Sequence, residues 1–254
     1  DYNDFSNKIN DKTKFISLTH MSNVTGSITD FNIIKEKING KNIPLMIDGC
    51  QYVAHSNLNV SNLDCDFYVF SGHKLYGPSG VGVLYMKDKW FDNFDPYQGG
   101  GDMIEKVEID YTIFNKGYSK FEAGTPPIAQ VIGLGASIEF INSFKLNNIF
   151  KHERDLHDYA LSKLLTFNDF ISYGKSGTKG AIISFNMSGI HANDLAMILD
   201  QKNVAIRTGH HCAQPLMKYF EITSSARASF GIYNDKQDVD LFIESLVEVK
   251  KFLK

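Results

Sequence analysis

Cysteine is scarce in this sequence, and the sequence contains no long apolar or basic run. The 254 residues include three cysteines, Cys50, Cys65 and Cys212, and this odd number favours free thiols in a reducing compartment over a disulfide framework. No apolar stretch reaches the roughly 20 residues that span a bilayer. The formal net charge is −3, and no basic run of the kind that follows phosphates is present. We therefore expect neither a membrane nor a nucleic acid as a partner.

The composition is typical of a globular protein. Apolar residues make up 43% of the chain and charged residues 22%, and the length suits one domain plus part of another. The reducing compartment is expected to be the cytoplasm, or a plastid or other organelle if the source is eukaryotic. Residue 1 is Asp rather than Met, so we expect either a processed product or further sequence upstream.

Strand and helix patterns alternate in the first 90 residues. A helix is predicted from a capping Asp30 to Ile38. Short apolar strands are predicted at 15–18, 44–47, 66–70 and 81–86. Such alternation favours an α/β fold with a mostly parallel sheet. In these sheets ligands bind beyond the carboxyl ends of the strands, where Asp48 and Ser71 stand.

From Pro126 the pattern changes to long amphipathic helices followed by a second set of strands. Helices are predicted at 128–144, 148–167, 193–201 and 237–253, and strands at 171–173, 181–187, 204–207 and 226–232. We expect two domains, residues 1–125 with the mostly parallel sheet and residues 126–254 as a smaller α+β domain.

Lys74 lies in the glycine-bracketed turn SGHKLYGP that follows an apolar strand. A lysine held there away from water would have its pKa lowered from about 10.4. The free amine could then form a Schiff base with an aldehyde. The alternative is a surface lysine in an ordinary turn.

Asp48 ends the strand that precedes the Lys74 strand, and Gln51 follows it. A carboxylate at this edge could pair with the ring nitrogen of pyridoxal 5′-phosphate (PLP), because a protonated nitrogen makes that ring an electron sink. The alternative for Asp48-Gly49 is a plain turn.

Cys212 lies in the segment RTGHHCA, which begins at Arg207. Nearby cationic or hydrogen-bonding groups favour the thiolate, which is the nucleophilic form of cysteine. The alternative is a zinc site, but zinc requires four ligands at spacings such as CxxC or HxxxH, and no such pair occurs in the chain. We therefore predict a nucleophilic cysteine and no metal.

Arg227 interrupts a run of small residues in SARAS. An arginine in such a strand is costly unless it meets an anion, and a substrate carboxylate gripped by two parallel hydrogen bonds is a natural partner. An internal Asp or Glu is the alternative.

Five segments together resemble the SufS-type cysteine desulfurases, which belong to the class V aminotransferase group of fold-type I PLP enzymes. In order along the chain they read SGHKLYGPSGVGVLY, GGGDMI, FEAGTP, RTGHHCAQPLM and RASFGIYN. The similarity extends from about Phe15 to the C-terminus. It implies the PLP-dependent transferase fold, with part of the large domain and a small C-terminal α+β domain. It also implies that the family's N-terminal strands and a ring-stacking histidine are not among these residues.

The resemblance assigns four residues to the cofactor ring and aldehyde. Lys74 would form the Schiff base, and Asp48 would pair with the pyridine nitrogen. Gln51 would contact the phenolate oxygen, with Asn23 close by.

The remaining assignments concern the cofactor phosphate and the substrate. The resemblance implies that Ser71 and His73 bind the phosphate, and that Thr125 reaches the phosphate bound in the partner subunit of a homodimer. Arg227 would hold the substrate carboxylate, with Arg207 near it.

The activity implied is removal of sulfur from L-cysteine, giving L-alanine and a persulfide on Cys212. A sulfur-acceptor protein of the Suf system would then receive the sulfur for iron–sulfur cluster assembly. Two alternatives remain open at this point. One is selenocysteine lyase or another class V PLP enzyme, and the other is a non-catalytic remnant that binds a sulfur-acceptor protein.

Overall fold

The computed structural model describes residues 2–174 and 177–252. These residues form two compact units. The first contains the chain up to His20 together with Asp30–Ser143, and the second contains Met21–Thr29 together with the chain from Phe144 onwards. The division falls after Ser143 and sets residues 21–29 with the second unit. The two-domain boundary after residue 125 stays a prediction.

The first unit is built around a four-stranded sheet. In chain order its elements are α1 (Tyr2–Asn7), β1 (Ile16–Thr19), α2 (Phe31–Ile38), β2 (Leu45–Asp48), α3 (Val60–Leu63), β3 (Phe67–Ser71), β4 (Gly82–Met86), β5 (Ile104–Val107), β6 (Thr112–Phe114) and α4 (Ile128–Ser143). The sheet order is β1-β2-β3-β4. β1, β2 and β3 are parallel and β4 is antiparallel, which confirms a mostly parallel α/β sheet.

Local sequence signals explain how the parallel part forms. The Asp30 side chain accepts a hydrogen bond of 2.9 Å from the Asn32 backbone N–H and so caps α2. The apolar residues of β1, β2 and α2 form one core that also holds the side chain of Tyr68 from β3. In the ladder Thr19 pairs with Asp48, and Asp48 pairs with Val69. The carboxyl ends of three strands therefore lie side by side.

The second unit has a four-stranded antiparallel sheet. Its elements are α5 (Leu146–Leu164), β7 (Phe170–Ser172), β8 (Ile182–Met187), α6 (Ala192–Asp200), β9 (Arg207–Gly209), α7 (Gln214–Tyr219), β10 (Ser225–Ser229) and α8 (Lys236–Phe252). The strand order is β7-β8-β10-β9. α5, α6 and α8 share one apolar core with β8 and β10, as expected for a small α+β domain.

Residues 21–29 are held against β8 and its leading turn. The Ser184 hydroxyl donates to the Val24 carbonyl oxygen, and the Gly180 N–H donates to the Gly26 carbonyl oxygen at 2.9 Å. Both Val24 and Ser184 are buried. These contacts fix the backbone that directly follows Asn23 within the second unit.

The predicted elements differ from the observed ones at several ends. β9 is Arg207–Gly209 rather than 204–207, because its pairing with β10 begins at Arg207. α5 ends at Leu164 rather than 167. The predicted closing helix reached residue 253; α8 extends from Lys236 to Phe252, and Leu253 lies outside the described residues. α1, α3, α7 and the β5–β6 hairpin were not predicted.

Candidate active site

Asp48, Gln51 and Ser71 lie at the carboxyl ends of β2 and β3, which are neighbours in the sheet. Asp48 is half-buried, and its Oδ1 accepts a hydrogen bond of 2.9 Å from the Cys50 N–H. The Ser71 hydroxyl lies 3.7 Å from the Cys50 sulfur. The parallel register thus places a carboxylate and a hydroxyl on adjacent strand ends, as the sequence predicted.

An aromatic cluster of His20, Tyr52 and Tyr68 packs against the backbone next to Asp48. The Tyr68 hydroxyl lies 3.0 Å from His20 Nδ1, and the His20 ring stacks on Tyr52 with 3.5 Å between ring centroids. Burial lowers the pKa of His20 to about 4, so the imidazole is neutral at pH 7. Gly49 packs so closely on the Tyr68 ring that a Cβ there would clash with it. This cluster fixes the backbone that carries Asp48.

Lys74 and His73 lie in a 3-10 helix, Gly72–Lys74, directly after β3. The Gly72 N–H donates to the Val81 carbonyl oxygen at 2.9 Å, which ties this helix to the segment before β4. Gly72 and Leu75 are buried, whereas His73 and Lys74 are exposed. The expectation that Lys74 is held away from water is therefore wrong for this structure, because the helix turns its side chain away from the core.

Thr125 directly follows Gly124, whose backbone hydrogen bond joins two of the motifs. The Gly124 N–H donates to the Gly101 carbonyl oxygen at 2.8 Å, so FEAGTP lies beside GGGDMI. The Thr125 side chain is exposed. It belongs to the same compact unit as Asp48 and Lys74.

The second group of predicted residues lies on β9, β10 and the turn after β9. Arg207 on β9 pairs in register with Arg227 on β10. Arg207 Nη2 lies 3.6 Å from the Cys212 sulfur, and Cys212 is exposed while Cys65 is buried and Cys50 is half-buried. Burial raises the pKa of the Cys65 thiol. Cys212 is thus the accessible thiol, and it lies beside a guanidinium.

The turn that presents Cys212 has an unusual backbone. His211 and Cys212 have φ values of 52° and 59°, in the left-handed region that side chains with a Cβ rarely adopt. Each such residue costs on the order of 1–3 kcal/mol. His211 is only 2% exposed, and its Nε2 lies 3.0 Å from both the carbonyl oxygen and the hydroxyl of Ser225.

Arg227 lacks a carboxylate partner among the described residues. Its Nη1 donates to the Asn23 carbonyl oxygen at 2.7 Å, and its buried Nε has no hydrogen-bond partner. Burial, followed by the charge of Arg207, lowers the pKa of the guanidinium. A half-buried, incompletely paired guanidinium next to a second one is suited to binding an anion.

The structure therefore gathers the predicted residues into two groups, one in each compact unit. The first comprises Asp48, Gln51, Ser71, His73, Lys74 and Thr125, and the second comprises Asn23, Arg207, Cys212 and Arg227. Sequence reasoning missed His211 and His20. Adjacent histidines in RTGHHCA were visible, but their pattern does not show which of the two is buried.

Residues 2–174 and 177–252 contain no cluster of three or more His, Cys, Asp and Glu side chains arranged to hold a metal ion. Within those ranges no helix combines the length and apolar character needed to cross a bilayer.

The fold and the site motifs place the chain in a known class. The aminotransferase class-V family matches residues 1–242, so this chain belongs to that family. It is 45% identical over 248 residues to a cysteine desulfurase of Wigglesworthia glossinidia brevipalpis, covering 97% of this chain and 60% of the relative. The chain thus spans about 60% of the length of the curated relatives it matches.

Solved structures show the same relationship. A cysteine desulfurase of Escherichia coli, CsdA, crystallised in an S-sulfonic acid form, has a TM-score of 0.95 and 35% identity; the match covers 100% of this chain and 63% of that one. The apo cysteine desulfurase of Thermococcus onnurineus NA1 has a TM-score of 0.94 and 35% identity, with 99% of this chain and 63% of that one covered. The fold is therefore the α/β fold of class V enzymes.

Proposed function

We propose that this protein is a PLP-dependent cysteine desulfurase in which Cys212 accepts sulfur from L-cysteine. The observation that carries the proposal is the Cys212 turn. An exposed thiol lies 3.6 Å from an arginine Nη2, on a turn next to a half-buried Arg227 that has no carboxylate partner among the described residues. The naming of similar proteins as cysteine desulfurases supports the same activity.

The donor set of the first group fits PLP. A carboxylate on β2 could accept from a protonated pyridine nitrogen, and a hydroxyl at the end of β3 with His73 beside it could donate to a phosphate. Lys74, exposed at the same strand end, offers the amine for the aldehyde. We propose Asn23, Asp48, Gln51, Ser71, His73, Lys74 and Thr125 as cofactor residues.

The bound cofactor supplies an aldehyde and an electron-withdrawing ring that stabilises negative charge on the substrate Cα. Asp48, fixed by the Cys50 N–H, would hold the ring nitrogen in its protonated form. The Lys74 amine would hold the cofactor through its aldehyde, and when free it would take the substrate Cα proton. The exposed position of Lys74 leaves this side chain room to move between the two roles.

In the second group, Arg227 binds the substrate carboxylate and Cys212 attacks the substrate sulfur. As the new S–S bond forms, the Cβ–S bond breaks and its electron pair stays with Cβ, where a proton completes alanine. Arg207, 3.6 Å from the Cys212 sulfur, favours the thiolate by its charge.

The finer assignments extend this proposal. We propose that the protein acts as a homodimer, with Thr125 contacting the partner's cofactor, and that a sulfur acceptor of the Suf system takes the persulfide sulfur for iron–sulfur cluster assembly. A cytoplasmic location agrees with three free cysteines. Selenocysteine lyase activity is the second candidate, and alanine release from L-selenocysteine and L-cysteine at equal concentration distinguishes the two.

The deciding experiment uses the intact protein with PLP and L-cysteine. Cys212→Ser is expected to bind substrate but to form no persulfide and release alanine at least about 100-fold more slowly. Cys65→Ala, at the buried thiol, is the control. Lys74→Ala is expected to lose the visible absorbance of covalently held cofactor. A persulfide located on Cys50 or Cys65 by mass spectrometry would contradict the assignment.

A further inference from the structure

The turn at residues 210–213 holds two successive residues in the left-handed region, with φ of 52° at His211 and 59° at Cys212. Backbone in this region persists only where surrounding contacts over-determine it. One such contact closes the turn itself, since the Ala213 N–H donates to the His210 carbonyl oxygen at 2.9 Å. A single closing bond leaves the direction of the Cys212 side chain to be set by other contacts.

The His211 imidazole supplies one of these contacts. Its Nε2 lies 3.0 Å from the Ser225 carbonyl oxygen on β10, and a carbonyl oxygen only accepts, so Nε2 carries the proton. The ring is 2% exposed. Burial and the charge of Arg227 lower its pKa to about 4, so it stays neutral and keeps this single tautomer. The imidazole thus fastens the turn to the sheet that carries Arg227.

Asn23 supplies the second contact, from a segment outside the motif. Its side-chain Nδ2 donates to the His211 carbonyl oxygen at 2.6 Å. Its own carbonyl oxygen accepts from Arg227 Nη1 at 2.7 Å. One residue therefore touches both the turn that presents the thiol and the arginine that is proposed to grip the substrate.

We infer that His211 and Asn23 are positioning residues, which together hold the Cys212 thiol in place relative to Arg227. This inference rests on the proposed function, in which Cys212 accepts the sulfur. Neither side chain needs to touch the reacting atoms, because each acts through the backbone of the Cys212 turn.

The first test follows amide hydrogen exchange in the intact protein, without regard to activity. His211→Leu is expected to exchange the Ala213 amide at least about 10-fold faster, because the turn loses its fastening to Ser225. His157→Leu is the matched control: His157 is also buried in the second unit, on α5, and its Nδ1 lies 2.9 Å from Asp158 Oδ1. That variant is expected to leave exchange at Ala213 unchanged.

A second pair of variants keeps the inference falsifiable if His211→Leu does not fold. His211→Gln retains an N–H near the position of Nε2 and is expected to restore slow exchange. Asn23→Ala removes the other contact and is expected to speed exchange at Ala213. Unchanged exchange at Ala213 in Asn23→Ala overturns the inference, and so does unchanged exchange in a folded His211→Leu.

Steady-state kinetics then separate positioning from a general loss of structure. His211→Leu is expected to lower kcat about 10- to 100-fold with KM for L-cysteine within about twofold, since misplacing a reacting group costs rate rather than binding. His157→Leu should keep both values. An equal loss in the two variants would show a merely structural role. A wild-type protein that releases no alanine would refute the proposed function, and the exchange data would still decide the positioning.

Discussion

Cys212 and Cys65 show how position rather than residue type decides reactivity. Cys212 is exposed beside Arg207, whereas Cys65 lies in the core of the first unit with a raised pKa. A buried thiol with a raised pKa is a poor nucleophile at pH 7. The count of three cysteines indicated free thiols, and the motif around Cys212 predicts that this one is the nucleophile. Only the structure shows that the adjacent His211 is buried.

Arg227 is expected to control substrate binding. Loss of a bidentate charged contact costs on the order of 1.5–3 kcal/mol, so Arg227→Ala should raise KM for L-cysteine about 10- to 100-fold, at 1.4 kcal/mol per tenfold. Arg227→Lys should recover only part of this loss, because an ammonium cannot form two parallel bonds. Steady-state kinetics measure both effects.

The control for this prediction is Arg154→Ala. Arg154 is exposed on α5, and its Nε lies 3.8 Å from Asp158 Oδ2, so its loss should leave KM unchanged. A KM that Arg227→Ala does not alter would mean that this arginine only ties β10 to Asn23.

At the level of elements, the parallel strands and their carboxyl ends could be predicted because apolar runs and the Asp30 cap are local signals. The location of Asp48 and Ser71 followed from the same rule. The exposure of Lys74 could not be predicted, since it depends on how the 3-10 helix turns after β3. The left-handed turn at His211 depends on contacts with Ser225 and Asn23, which are distant in sequence.

Gly49 directly follows β2, and its replacement is expected to lower the stability of the first unit. Gly49→Ala should lower the free energy of unfolding of the first unit by about 1–3 kcal/mol, because the new Cβ overlaps Tyr68. Gly135→Ala on α4, where a Cβ meets nothing within 4 Å, should instead raise it by about 0.5–1 kcal/mol. Urea unfolding followed by the fluorescence of the single tryptophan, Trp90, measures both.

The outcome that contradicts this account is a Gly49→Ala variant as stable as the wild type. That result would mean that Tyr68 shifts freely and does not brace the Asp48 backbone. A stability loss equal in the two variants would point to the glycines' backbone freedom rather than to the Tyr68 contact.

At the scale of the whole molecule, each compact unit contains a buried neutral histidine near its predicted residues. His20 contacts the Tyr68 hydroxyl next to the Asp48 edge, and His211 belongs to the Cys212 turn and contacts Ser225. Burial lowers the pKa of each to about 4 from the ordinary value of 6.5. The same desolvation that keeps each ring neutral therefore ties stability to pH in both units.

The expected consequence is loss of stability in mild acid. Above pH 6.5 both histidines are neutral in the folded and the unfolded protein, so they add no pH dependence. As pH falls from 6.5 to about 4 only the unfolded chain takes up the protons, and the free energy of unfolding falls by up to about 1.4 kcal/mol per pH unit for His20, approaching about 3 kcal/mol. His211 acts in the same direction. Asp66, with a pKa lowered from 3.8, loses its stabilising effect only below this range. Urea unfolding at pH 7, 6, 5 and 4.5, followed at Trp90, should give a shallower pH dependence for His20→Gln than for the wild type. Equal slopes would show that His20 takes up its proton as readily in the folded protein as in the unfolded chain, so that its burial beside Tyr68 does not keep it neutral.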